Sequence, residues 1–398
     1  MTKRIAFFVF LIVCATVCLG CLSLPVRYAK AQDDVAENID LLLREFVSSF
    51  PSRQPFSEGE KAAATFIGEK FEQIGLKKIG NYYIHQFNYG DALTQNVLAT
   101  TDNGAEKYVV IGAHYDNVGI NGADGTSDNG GGVATLLSLA KKLKTASLNF
   151  DVIFAAFGAE EAGLVGSEYF LYETAEKFAD NILCYINLDS IICGDKLYLY
   201  SGETKSALSE FTLDKSKTAG GKTINAVPTH FAATKLRTDG LNPYYAAYFS
   251  TDALTFQKAG IPFLSFFAGN LDDFYGYAES SDAAKRVMHT SNDKLTYIES
   301  KYGDVYKKNM ASVFDCVYAA LTDTEFVSLA KSTVLPANST IKKLIPVGAT
   351  VVLLVITALL CVAYHRELRK KAILDESGVK SFKIFSQSNS DEIFTFLN

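Results

Sequence analysis

Four short apolar runs, Tyr108–Ile111, Asp151–Phe157, Ile182–Leu188 and Ile261–Phe267, recur along the chain with amphipathic stretches between them. An apolar run bounded by turn residues is what a strand buried on both faces requires, and strands alternating with helices imply a parallel sheet covered on both sides. Helices are expected from a Ser57–Glu60 capping box to Gly75, and over Gly130–Leu143, Ser167–Phe178, Thr251–Ala259 and Tyr302–Leu321. The expected fold is α/β, with a doubly wound, mostly parallel (mixed) sheet and helices on both faces. There is no internal repeat and no low-complexity tract, so one domain over 32–336 is the simplest division.

Two further apolar segments flank that domain. Lys3 and Arg4 precede a run from Ile5 to Leu24, and Ala29-Lys30-Ala31 fits a small-x-small cleavage pattern. Residues 1–31 are therefore expected to be a signal peptide, against the alternatives of an uncleaved anchor or a lipoprotein site at Cys21. Ile345–Tyr364 is apolar apart from two threonines. Twenty helical residues at about 1.5 Å each cover about 30 Å, the thickness of a bilayer core. The basic cluster from His365 to Lys371 favours a cytoplasmic C-terminus. The chain then divides into a linker (337–344), one C-terminal transmembrane helix (345–364) and a tail (365–398), with the main domain on the extracytoplasmic side.

The net charge of -6, with no central Lys/Arg run, excludes nucleic acid as an expected partner. Of seven cysteines, Cys184, Cys193 and Cys316 fall in the main domain. Three scattered cysteines are no disulfide framework and read as small buried hydrophobes.

In open parallel sheets, ligands bind at the carboxyl ends of the strands. Those ends carry metal-ligand residue types repeatedly here. Gly112-Ala113-His114-Tyr115-Asp116 follows the first strand. His114 there is a ligand, a base or a surface residue, and Asp116 is placed to accept its second ring N–H. Ser127-Asp128-Asn129-Gly130-Gly131-Gly132 is either a capped turn or a crowded site where glycines admit close backbone approach. The adjacent Glu160 and Glu161 follow the second strand, either in a solvated loop or around a cation that relieves their repulsion. Asn187-Leu188-Asp189 and Met288-His289 complete the set. Only five histidines occur in the chain, and neither His85 nor His230 has comparable acidic neighbours. Together these groups suit zinc, which takes imidazole and carboxylate ligands.

The ordered constellation GAHYD, SDNGGG, AEEAG, NLD and MHTSND resembles metallopeptidase family 28, the dizinc aminopeptidases, over roughly Ser52 to Leu321. The resemblance implies two zinc ions per chain, bridged by Asp128. His114 and Asp189 would complete one site, Glu161 and His289 the other, with Glu160 as general base and peptides with a free N-terminus as substrates. Three departures stand out: Met288 where many members carry Tyr, Thr251-Asp252-Ala253 in place of Ser-Asp-His, and a longer loop from Asn117 to Thr126. Rival readings are a glutaminyl cyclase or carboxypeptidase on the same fold, and a non-catalytic receptor-like homologue. The preferred residue, the organism and the oligomeric state are not legible in the sequence.

Overall fold

The structure is a computed structural model that describes residues 34–333 apart from 176–177, 195, 203–205, 220, 228–250 and 270–286. The expected signal peptide, linker, transmembrane helix and tail lie outside the described residues. No helix among the described residues is long and apolar enough to cross a membrane.

A helix over 34–49 (α1) opens the described chain. The helix α2 (Glu58–Ile74) begins at Ser57, whose hydroxyl accepts the N–H of Glu60, and ends at Gly75 in the left-handed conformation at φ 80. Strands β1 (Lys77–Lys78), β2 (Ile84–Tyr89), β3 (Ala92–Thr100), β4 (Tyr108–His114), β5 (Asp151–Phe157), β6 (Ile182–Leu188), β7 (Lys196–Tyr200), β8 (Ile224–Ala226) and β9 (Phe263–Gly269) form one sheet. Its order is β1-β3-β5-β4-β6-β9-β7-β8, with β2 paired to β3.

The four central strands β5-β4-β6-β9 are parallel, and these are the four apolar runs of the sequence. Parallel character is confined to this centre and to the β7–β8 edge. β3 runs antiparallel to β5, and β7 antiparallel to β9, so the sheet is more evenly mixed than expected. β5 through Phe157 and β6 through Leu188 are buried along their whole length. Their side chains alternate between two cores. Val152, Phe154 and Ala156 join α1, α2, α3 (Gly131–Leu143) and the C-terminal helices on one face. Ile153, Ala155 and Phe157 meet Phe170, Phe256 and Tyr185 on the other.

Three elements differ from expectation. The helix expected over Ser167–Phe178 is a short α4 (Val165–Tyr169) followed by a wider turn through Phe170–Thr174, where the Ala175 N–H reaches back to the Phe170 carbonyl at 2.7 Å. This turn buries Phe170 and Leu171 while leaving Tyr172 exposed. A helix α5 (Ala207–Thr218) and then α6 (Asp252–Lys258) precede β9, which starts at Phe263 rather than Ile261 because Pro262 has no N–H for the ladder. The last expected helix, Tyr302–Leu321, starts instead at Val305 (α8, Val305–Leu321), after a break at Gly303, at φ 55, that ends a separate α7 (Leu295–Tyr302), with α9 (Phe326–Ser332) beyond. The three described cysteines are free and buried, as expected.

Candidate active site

The chain passes from β4 to β5 on one side and then returns to place β6 on the other, so the end of β4 is a topological switch point. A crevice opens there between the loops that leave β5 and β6. His114 ends β4, Glu160 and Glu161 follow β5, and Asp189 follows β6. Asp128 reaches the crevice from the turn before α3, and His289 from the segment before α7. All six line one cleft with Ser190, Thr251, Ser265, Phe267 and Met288.

Asp128 stands at the centre. Its Oδ1 lies 3.1 Å from His114 Nε2 and its Oδ2 lies 3.0 Å from His289 Nε2. The two oxygens of one carboxylate thus face two different imidazoles. Asp189 Oδ1 approaches His114 Nε2 at 3.4 Å, and Glu161 Oε2 approaches His289 Nε2 at 3.3 Å. His114–Asp128–Asp189 and Asp128–Glu161–His289 each bring ligand atoms within 4.8 Å of one another. A third such group is His114–Glu160–Glu161.

The donor set fits a cation on two observations. Glu161 Oε1 is buried with no hydrogen-bond partner. Four carboxylates also converge on two imidazoles. Burial raises the carboxyl of Glu161 to about 7, and the nearby charge of Asp128 adds to it. Burial likewise pushes Glu160 well up, with Asp252, Asp189 and Glu161 reinforcing it and His114 opposing. His289 is held at about 10 by its hydrogen bonds to Asp128 and Glu161. Burial would lower His114, but the fields of Glu160 and Asp189 outweigh it and raise the ring well above its ordinary value. Positive charge placed among these groups would relieve the crowding.

Side chains from outside the cleft fix its backbone. The Gly158 N–H is accepted by Asn96 Oδ1 at 3.2 Å and the Ala159 N–H by Glu60 Oε1 at 2.9 Å. The N–H groups of Glu160 and Glu161 are accepted by the two oxygens of Asp116, each at 3.0 Å. Asp116 was expected to hold His114 Nδ1, but that distance is 3.7 Å, too long for a hydrogen bond. Its carboxylate is occupied by the Glu160–Glu161 backbone instead.

The other side is fixed by Asp293, whose Oδ1 accepts the Ser127 N–H at 2.6 Å and whose Oδ2 accepts that of Asp128 at 3.1 Å. The fully buried Arg53 donates to the carbonyls of Phe50, Tyr115, Asp124 and Gly125 and stacks on Phe46 at 4.7 Å. It clamps both ends of the long loop after β4. Gly132 shows why glycine is required at the start of α3: a Cβ there would stand 2.3 Å from the Leu188 carbonyl oxygen. Sequence reasoning had no role for Arg53 or Asp293, and read Glu60 only as a helix cap.

A doubly wound sheet that delivers imidazoles and carboxylates into one crevice has the architecture of a metal-dependent hydrolase. Comparison with known proteins agrees. The family model described as Peptidase family M28 matches residues 96–314, more than half of the chain. The chain is 28% identical to the alkaline phosphatase isozyme conversion protein of Escherichia coli (strain K12), over 64% of this chain and 79% of that protein. It is 27% identical to aminopeptidase YwaD of Bacillus subtilis (strain 168), over 67% of this chain but only 53% of that one. Among solved structures it is similar to BSAP, a zinc aminopeptidase from Bacillus subtilis, with a TM-score of 0.55 and 16% identity over 71% of this chain and 93% of that one. The chain belongs to peptidase family M28 and is a hydrolase of the metallo-aminopeptidase class.

Proposed function

We propose that the chain is a dizinc aminopeptidase that removes N-terminal residues from peptides. The observation that carries this reading is the Asp128 carboxylate, with one oxygen toward His114 and the other toward His289. His114 and Asp189 would hold one zinc, Glu161 and His289 the other, with Asp128 shared. Bound zinc lowers the pKa of a water and polarises a carbonyl. Glu160 lines the same cleft and is not needed in either ligand set. It takes the proton of the attacking water and returns it to the leaving amine. The free N-terminal amine of the substrate would sit against carboxylates of the cleft and one metal.

The test is product analysis of the metal-loaded protein on matched peptides. Release of free amino acids from unblocked peptides, and none from N-acetylated ones, is expected. Ammonia released from N-terminal glutamine without chain shortening would indicate a cyclase. Release of C-terminal residues would indicate a carboxypeptidase. Zinc-loaded protein without turnover on any peptide would favour the receptor-like reading.

The two flanking apolar segments support a further part of the proposal. Residues 1–31 direct export and 345–364 anchor the chain once, with the catalytic domain extracytoplasmic. Protein comprising 32–336 should then be water-soluble and active. Failure of that shortened protein to fold without 345–364 would make the segment part of the core.

A further inference from the structure

We propose that Glu60 is a positioning residue for Glu160, acting through the backbone N–H of Ala159; this rests on the role given to Glu160 above. Glu60 stands in the first turn of α2, where a Glu three residues after a Ser cap ordinarily turns back to the cap N–H and stays in water. Glu60 does neither. The Ser57 N–H goes to the Gln54 carbonyl at 3.1 Å. Glu60 is 0% exposed, and its Oε2 accepts the Phe56 N–H at 2.8 Å. Its Oε1 accepts the Thr94 hydroxyl at 2.8 Å and the Ala159 N–H at 2.9 Å. Burying a carboxylate is unfavourable unless its oxygens are well met, and capping a helix does not require it.

What the burial achieves lies on the other side of the contact. Ala159 has φ 53, a left-handed conformation that a residue with a Cβ disfavours. That conformation turns the chain as it leaves β5, and Glu160 is the next residue. Four successive N–H groups, from Gly158 to Glu161, end on side-chain oxygens of Asn96, Glu60 and Asp116. The Glu60 bond holds the peptide that carries the strained angle. Without it, the peptide between Gly158 and Ala159 can rotate, the φ of Ala159 relaxes, and the segment that carries Glu160, still tethered by Asp116, shifts its carboxylate in the cleft. Displacement of a reacting group by about 1 Å costs on the order of 100-fold in rate.

The experiment measures kcat, KM, bound zinc and the unfolding midpoint for Glu60→Ala and Glu60→Gln, each alone and combined with Glu160→Gln. Glu60→Ala should lower kcat about 10- to 100-fold, with KM within about twofold and zinc content unchanged. Glu60→Gln keeps a carbonyl oxygen for Ala159 but turns an NH2 toward the Phe56 N–H, so the unfolding midpoint should fall while kcat stays within about fivefold of wild type. In the Glu160→Gln background, Glu60→Ala should cost less than about twofold, because the group it positions is gone. Unchanged kcat in Glu60→Ala, zinc loss in step with activity, or an equal loss in both backgrounds would each overturn the proposal. If Glu60→Ala does not fold, Thr94→Val carries the test: it removes the hydroxyl that fixes Oε1. It should lower kcat a few-fold only when Glu160 is present, and an unchanged kcat refutes the proposal. A fully active Glu160→Gln protein would instead overturn the role of Glu160 itself. An inactive Glu160→Gln beside a normal Glu60→Ala would overturn only the role of Glu60.

Discussion

Asp293 accepts the backbone N–H of Asp128 at 3.1 Å across 165 residues of chain, and with its other oxygen accepts that of Ser127. The central carboxylate of the cleft is therefore held from behind by a residue four positions after His289. Asp293→Asn leaves one acceptor where two N–H groups need satisfying. It should destabilise the protein by about 1–3 kcal/mol and weaken zinc binding roughly 10- to 100-fold. Chelator competition and urea unfolding measure the two effects, and wild-type zinc affinity in the variant would show that Asp128 needs no such support.

Glu160 and Glu161 have identical chemistry and adjacent positions but are assigned different work. Glu160→Gln should keep both zinc ions and lose about 10²–10⁴-fold in turnover, the usual contribution of a general base. Glu161→Gln should lose affinity at one site and recover part of its activity in excess zinc. Bound zinc and turnover are followed together across a zinc titration. If Glu160→Gln loses a metal while Glu161→Gln keeps both, the two roles are reversed.

Arg53 spreads its guanidinium over four backbone carbonyls in the interior. Lysine brings a point charge with three donors and cannot span that fork. Arg53→Lys should cost about 3 kcal/mol or more, since it leaves buried carbonyls unpaired. A urea midpoint within error of wild type would remove Arg53 as the clamp on the loop after β4.

Burial, with the added field of neighbouring acids, holds Glu60, Glu161 and Asp252 each at about 7 in the metal-free protein. Their folded values lie above their unfolded ones near 4. Each therefore contributes stability that is fully present below about pH 4 and is lost as pH rises through about 7. His289, raised to about 10, acts in the same direction between pH 6.5 and 10. Asp128, lowered by its two histidines, has the opposite sign but only in acid below the carboxylate range. Chelator-treated protein should thus be less stable at about pH 8 than at about pH 5.5, by on the order of 2 kcal/mol for each of the three carboxyls. Zinc should restore more at the higher pH, because binding displaces protons. A flat urea midpoint across that range would contradict this balance of charges.

The legible parts of this protein are those whose local chemistry has no bland use. Central strands buried on both faces must be apolar, and acids placed directly after them stand out. His114, Glu160, Glu161 and Asp189 could be found this way; Asp128 and His289 follow no central strand directly and were legible only from the ordered set of motifs, and the structure brings all six into one cleft. β3 could not, because it carries Thr94, Gln95 and Asn96 as buried polar residues and so breaks the apolar pattern. Those same side chains reach Glu60, Tyr115 and Gly158, which explains why they are polar. Arg53 and Glu60 were illegible for a related reason. Their partners are backbone groups 62 and 99 residues away, visible only once the chain has closed. Asp293 carried a weak signal, as the last residue of the stretch that begins Met288-His289.

The family match begins at Asn96, inside β3, while Arg53, Glu60 and Thr94 all precede it. Every proposed zinc ligand lies within 96–314, as do Asn96, Asp116 and Asp293, yet two of the groups that hold the backbone beneath the cleft, Arg53 and Glu60, come from upstream. A gene fragment cut to the matched region would carry all of the ligands without those two supports. It would also lack buried Cys316, Val317, Leu321 and Phe326, so the fragment to use runs over 96–333; the piece it then lacks is the stretch 34–95. Supplied as a separate polypeptide, that stretch should complement the fragment, so that two inert pieces regain peptidase activity when refolded together.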